Sequence, residues 1–260
     1  MRIVTLITDF GTSDGYVGEV KGVVLSAVPE ATLVDVAHDI PPGDVEGAAW
    51  ILSRVWHRYP AGTVHLVVVD PGVGGTRRAM AIESDGRWFV GPDNGAISRA
   101  LGENGPDAAW ALDPGRCALD SLSSTFHGRD LFAPVAARII GGESPASFGD
   151  PIEVESLRLL DLGCPSRSRD CVRGRVAHVD RFGNLVTDIP GAWVSPSALT
   201  ELGGVEVSGV RLSYASVDPG QLVAVIGSAG TLEISVREGS AAERLSVRRG
   251  EPVLVRPERD

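Results

Sequence analysis

The sequence predicts an α/β protein. An N-terminal α/β sandwich domain on a mainly parallel sheet is followed by a C-terminal domain of short antiparallel strands. Three observations carry this. Residues 3–69 alternate strand-like apolar runs with stretches of helical period, the pattern of a parallel sheet with right-handed crossovers. Beyond about residue 160 only short strand-like segments remain, separated by turn residues, as in a small barrel or sandwich. Of the 260 residues 43% are hydrophobic, enough for a real core and too many for wholesale disorder. The change of texture divides the chain into residues 1–163 and 171–260, joined by a polar, Ser/Arg-rich link at 164–170.

The elements follow in order. Residues 3–7 (IVTLI) read as a buried strand, 15–28 as a helix ended by Pro29, and 32–37 as a second strand. Asp44 is placed to cap a helix whose Val45, Ala48, Ala49, Leu52, Val55 and Trp56 form one stripe. Residues 63–69 (TVHLVVV) are apolar enough for a central strand. A hairpin turns at Asp85-Gly86 between AMAIES and RWFV. Residues 131–140 form one more helix, stopped by Gly141-Gly142. In the second domain strands are expected at 174–180, 184–189, 205–212, 222–228, 231–237 and 252–256.

Composition excludes several functions. The chain carries 24 basic and 34 acidic residues, a net charge of −10, which repels a phosphate backbone. Aromatics are 5%, too few for a base-stacking surface, so no nucleic acid partner is expected. Three cysteines, Cys117, Cys164 and Cys171, with no Cys-x-x-Cys, support neither a disulfide frame nor a zinc site. The reduced cytoplasm is the expected compartment. No run approaches the ~18 apolar residues of a membrane span, so no membrane partner is expected.

Sites in α/β sheets lie beyond the carboxyl ends of the strands. Three polar clusters fall at such places: Thr8-Asp9-Phe10-Gly11 with Asp14, the stretch 70–75 (DPGVGG) with Arg77 and Arg78, and 125–130 (TFHGRD). Each has a structural reading: a strand-end Asp closes an Asx turn or caps a helix, and a lone His is commonly a hydrogen-bonding residue of the fold. His38, His57, His65 and His178 are read that way. The Gly-rich stretch matches neither nucleotide-loop pattern. Together, however, Asp70, Arg77 and His127 supply an acceptor, a permanent cation and a titratable base, a set able to hold and polarise water. Spacing alone leaves a buried salt-bridge network equally open.

The runs ITDFGTSDGYVGEVKGVV, PAGTVHLVVVDPGVGGTRR, FVGPDNG, STFHGRDLFAP and DRFGNLVTDI resemble those of the S-adenosylmethionine hydroxide adenosyltransferase family, relatives of the bacterial fluorinase and chlorinase. The resemblance runs from about residue 3 to 256. It implies an N-terminal α/β domain, a C-terminal antiparallel β-barrel and a homotrimer with active sites between subunits. The implied reaction is S-adenosyl-L-methionine plus water giving adenosine and L-methionine, with no metal or organic cofactor. The family's water-handling triad maps onto Asp70, Arg77 and His127, with Arg78 the competing arginine. Asp9 resembles the aspartate of the ribose diol, Asp14 an acidic position of the same loop, and Phe126 an aromatic wall. Asn184 resembles the adenine reader and Asp180 the partner of the methionine ammonium. Ser228, Glu233 and Val236 fall in the segment that closes on ligand, the last through its backbone. Ala229 stands where fluorinases have an arginine for the methionine carboxylate, and Gly43 where they have an aromatic residue. TDI at 187–189 replaces the usual TNI. A halogenase of the same fold, or a non-catalytic S-adenosylmethionine-binding protein, is the alternative.

Overall fold

The computed structural model describes residues 2–101, 105–119 and 121–257. It divides into two compact units, residues 1–161 and 162–260. Residues 166–167, inside the expected link, pair with a strand of the second unit.

In the first unit β1 (Ile3–Thr8), β2 (Thr32–Ala37) and β3 (Val64–Val68) are joined by α1 (Tyr16–Ala27) and α2 (Val45–Val55). The hairpin β4 (Ala79–Ser84) and β5 (Arg87–Pro92) follows. Asp85 and Gly86 both have positive φ, as a tight two-residue hairpin turn requires. Then come β6 (Ala108–Leu112), a single turn α3 (Pro114–Cys117), α4 (Ala133–Ile140) and β7 (Gly149–Ile152). The seven-stranded sheet has the order β2-β1-β3-β5-β4-β6-β7. β2, β1, β3 and β5 run parallel; β4, β6 and β7 are antiparallel to their neighbours.

Strand alternation explains the layers. Val4, Leu6, Val64, Leu66 and Val68 share a core with Val20 and Val24 of α1 and most of α4. Ile7, Val67 and Val69 face the other way, onto Ala48 and Leu52 of α2 and Trp56. A parallel sheet covered on both faces needs such unbroken apolar strands. Asp44 caps α2 by accepting from the Gly47 N–H at 3.0 Å. Because β1 lies between β2 and β3, the chain reverses its direction of winding beside β1. The crevice past the carboxyl ends of β1 and β3 is the place where such sheets bind ligands.

The second unit holds β8 (Ser166–Arg167), β9 (Val172–Val179), β10 (Leu185–Pro190), β11 (Leu199–Leu202), β12 (Val205–Ser208), β13 (Val210–Arg211), β14 (Leu222–Ile226), β15 (Thr231–Val236), α5 (Ala241–Leu245) and β16 (Pro252–Arg256). The strand path is β12-β11-β16-β9-β10-β15-β14-β13, with β8 on β9. All pairs are antiparallel except β13 with β14. The ribbon curls until β12 lies against β14, a nearly closed barrel around Val176, Leu185, Ile189, Leu232 and Ile234. The expected strand 205–212 is broken in two at Gly209, whose φ is +69°. The register of β10 slips after Val186, and Asp188 Oδ1 accepts the Arg175 N–H at 2.8 Å. That gives the aspartate of TDI a structural role.

Candidate active site

The three polar clusters meet in the crevice of the first unit. Asp9 follows β1 directly, and its Oδ2 accepts the Gly43 N–H at 2.7 Å. Gly43 has a φ of +75°, and a side chain there would meet Pro71. The loop after α1's strand neighbour β2 thereby connects Asp9 to the loop that carries Asp70.

That second loop folds back on itself. The Asp70 carbonyl accepts from Val73 at 3.2 Å and the Gly72 carbonyl from Gly75 at 3.1 Å. Gly74 sits at φ +74°, where a Cβ would lie 2.3 Å from the Ser124 carbonyl, so only glycine fits. The fold-back returns Arg77 onto Asp70. Arg77 Nε donates to the carboxylate at 3.1 and 3.0 Å, and Nη2 donates to Oδ2 at 2.5 Å. Nη2 also reaches His127 Nδ1 at 2.7 Å. The guanidinium stands 5.3 Å from the centre of the Phe132 ring. Asp70, Arg77 and His127, far apart in sequence, are thus one hydrogen-bonded row.

His127 precedes a π-type turn, Gly128–Phe132, in which the Ala133 N–H bonds the Gly128 carbonyl. Such turns are frequent at functional sites. The turn is held by Asp130, which accepts from the Ser123 N–H at 2.8 Å and from Arg129 Nε at 2.6 Å. Arg129 in turn bonds Glu19 of α1 at 2.7 Å. Burial, followed by the Arg77 cation, pushes the His127 pKa below its ordinary 6.5, and Asp70 opposes this. The imidazole is therefore neutral at neutral pH. A guanidinium only donates, so Nδ1 must accept and Nε2 must carry the hydrogen.

Arg78 has other partners. It donates to Asp93 Oδ2 at 2.8 Å, to the Ser156 hydroxyl at 3.1 Å, and to the Ser156 carbonyl. Of the two adjacent arginines, Arg77 is the one in contact with Asp70 and His127. Phe126 forms an edge-on trio with Phe10 and Tyr16, centroids 5.6 and 5.3 Å away. Asp14 is exposed, with the Ser13 hydroxyl at 3.3 Å.

The remaining expected ligand residues belong to the second unit. Asp180, Asn184 and Val236 line a cavity of about 900 Å³, with Phe182, Tyr214 and Ser240 also on its wall. Asp180 Oδ1 accepts the N–H groups of Phe182 and Asn184, both at 2.9 Å, and Oδ2 accepts the Asn184 amide at 2.9 Å. Three of the carboxylate's roughly four acceptor sites are thus used by the turn. Glu233 is buried on β15 and accepts from the Tyr214 hydroxyl at 2.6 Å and from Ser235 at 3.0 Å. Neither Glu233 nor Ser228 lines the cavity. Ser228 is exposed, in the turn between β14 and β15. Tyr214 escaped the sequence reading; no spacing links it to Glu233. Its hydrogen bond to Glu233, with burial, pushes its hydroxyl up to about 12.

Among the described residues no cluster of three His, Cys, Asp or Glu side chains could hold a metal. No described helix is long and apolar enough to cross a membrane.

Fold and site together define an α/β protein with a buried carboxylate–guanidinium–imidazole row at the switch point of its sheet, followed by a barrel-like unit. The chain belongs to the SAM hydroxide adenosyltransferase family, matching its N-terminal domain over residues 4–149 and its C-terminal domain over 174–254. It is 42% identical to the (R)-S-adenosyl-L-methionine hydrolase of Thermus thermophilus, over 97% of this chain and 99% of that one. The fluorinase of Nocardia brasiliensis is 25% identical over 98% of this chain and 96% of its own. The crystal structure of an uncharacterized conserved protein from Thermotoga maritima superposes with a TM-score of 0.90 at 34% identity, over 97% of this chain and 99% of that one.

Proposed function

We propose that this protein hydrolyses S-adenosyl-L-methionine at the ribose C5′ carbon, giving adenosine and L-methionine. The observation that carries the reading is Arg77 joining Asp70 and His127 in the switch-point crevice. Its hydrolase relatives, at 42% and 36% identity, support the same reaction over the more distant fluorinases.

The sulfonium leaves as a neutral thioether, so the leaving group needs no acid. The demand is for water held in line with the carbon–sulfur bond, about 3 Å from C5′, with little other solvent around it. His127 donates from Nε2–H to the water oxygen and orients it. Asp70 accepts the proton. A carboxylate suffices as acceptor because the attacking water becomes acidic as its bond to carbon forms. Arg77 holds both partners in place. Asp9 receives the ribose diol, since one carboxylate can accept from two vicinal hydroxyls. Asp14 and Phe126 border that end. Asn184 reads adenine, Asp180 meets the methionine ammonium with its remaining acceptor site, and Val236 and the exposed Ser228 complete the ligand contacts, while Glu233 holds Tyr214 on the cavity wall. The assembly is a homotrimer, which light scattering of the purified protein tests directly.

Incubation with S-adenosylmethionine in heavy-oxygen water tests the reaction. The label is expected in the 5′-hydroxyl of adenosine, with one methionine per adenosine. Intact substrate after prolonged incubation would support a binding protein, and 5′-chloro-5′-deoxyadenosine as the main product in high chloride would support a halogenase.

A further inference from the structure

A row of polar side chains below Asp9 takes no part in the mechanism. Lys21 of α1 bonds Asp35 Oδ2 of β2 at 2.6 Å. Asp35 Oδ1 bonds His38 Nε2 at 2.9 Å. His38 Nδ1 bonds the hydroxyl of Thr8, the last residue of β1, at 2.8 Å. The row starts at a partly buried lysine and ends at an imidazole that is 7% exposed and a threonine that is 1% exposed.

His38 grips the chain on both sides of Asp9. On one side its ring holds Thr8, whose hydroxyl also lies 3.4 Å from the Phe10 N–H. On the other side its carbonyl accepts the Gly11 N–H at 2.8 Å. A carboxylate can only accept, so Nε2 of His38 carries the hydrogen toward Asp35. This fixes the ring plane and points Nδ1 at Thr8. Without that bond the end of β1 loses its side-chain anchor, and Asp9 lies one residue past it.

We infer that His38 is a positioning residue: through Thr8 it sets the carboxylate of Asp9 for the two ribose hydroxyls. The inference rests on the proposed role of Asp9 in the same site. Displacing a carboxylate by about 1 Å is enough to spoil a two-point hydrogen bond. The loss should therefore be confined to substrate that carries the diol.

Two near-isosteres separate the contacts of the ring. The amide of His38→Asn can occupy the place of Nδ1 and keep the Thr8 bond. The amide of His38→Gln reaches toward Asp35 and gives up Thr8. Hydrolysis of S-adenosylmethionine and of its 2′-deoxyribose counterpart is measured for wild type, both variants and Asp9→Asn, together with thermal unfolding. His38→Gln is expected to raise KM for the diol substrate about tenfold, the worth of one hydrogen bond. Its kcat and its KM for the deoxy substrate should stay as in wild type, and His38→Asn should keep the wild-type preference. Thr8→Val removes the same contact without touching the imidazole and should reproduce His38→Gln if that variant does not fold. An equal decline on both substrates, or no change in a folded His38→Gln or Thr8→Val protein, would overturn the inference. In that case an impaired Asp9→Asn would leave the site assignment standing. An Asp9→Asn variant with unaltered diol preference would overturn both.

Discussion

Arg77 donates through Nη2 to Nδ1 of His127 at 2.7 Å, so the imidazole enters the site as a hydrogen-bond donor at its other nitrogen. Protonating His127 would set two donors against each other. Its pKa is depressed by burial and by Arg77. The neutral, competent form therefore persists below the ordinary 6.5, and activity falls only as pH drops through that lowered value. The kcat/KM profile is expected to show its acid limb below pH 6.5. Activity that instead fell as pH rose through the imidazole range would mean that the charged imidazole is the working form.

On the proposed mechanism Asp70 and His127 share one water molecule, so their losses should not add. Asp70→Asn and His127→Ala are each expected to lower kcat by about 10²–10⁴. The double variant should be little worse than either single one. Product chromatography over a time course reads this. Multiplied losses would show that the two groups serve separate steps.

Arg78 and Arg77 are adjacent yet face different partners. Arg78→Ala leaves Asp93, whose side chain is 4% exposed, without its cation. Unfolding free energy is expected to fall by about 1–3 kcal/mol while turnover is retained. Arg77→Lys keeps the charge but cannot span Asp70 and His127 at once. It should lose turnover with little loss of stability. Denaturant titration beside kinetics distinguishes the two.

His65 lies in the core of the sheet, stacked 4.7 Å from the Trp56 ring and bonded to Thr5 at 2.8 Å. Burial, then the Arg87 charge, lowers its pKa from 6.5 to about 4. The unfolded chain binds this proton more readily than the folded one. Stability is thus full above pH 6.5 and is lost as pH falls from 6.5 to about 4. The loss is on the order of 3 kcal/mol at about 1.4 kcal/mol per pKa unit. Urea unfolding across that window should show the slope, and His65→Gln should flatten it.

The parallel half of the first unit was legible because β1, α1, β2, α2 and β3 each carry one unbroken period. Other elements lack such a signal. β6 is AAWAL, and alanine has little preference for strands. β7 contains Gly149 and Pro151, which suit an edge strand but read as a turn. α5 has five residues, too few for a helical period to show. In the site, the strand-end positions of Asp9 and Asp70 were legible from the alternation of elements. The choice between Arg77 and Arg78 was not, because it depends on how the loop after β3 folds back. The Tyr214–Glu233 pair left no trace either, since two residues meeting across a barrel need no fixed spacing. Ser168, expected in a link, donates its N–H to the Cys171 carbonyl at 2.8 Å, just before β9.

The widened turn after His127 stores one surplus residue in a helical segment. Losing that residue would let Gly128–Phe132 relax to ordinary α geometry while α4 stayed where it is. Everything immediately upstream would then swing by about 100° around the axis. The imidazole would turn its back on the guanidinium, in a molecule that still folds and keeps all three polar side chains. The placement of His127 beside Arg77 depends on a count of peptide units as much as on chemistry. A homologue with the full motif but one backbone unit fewer at this point would be a silent relative, recognisable by its length alone.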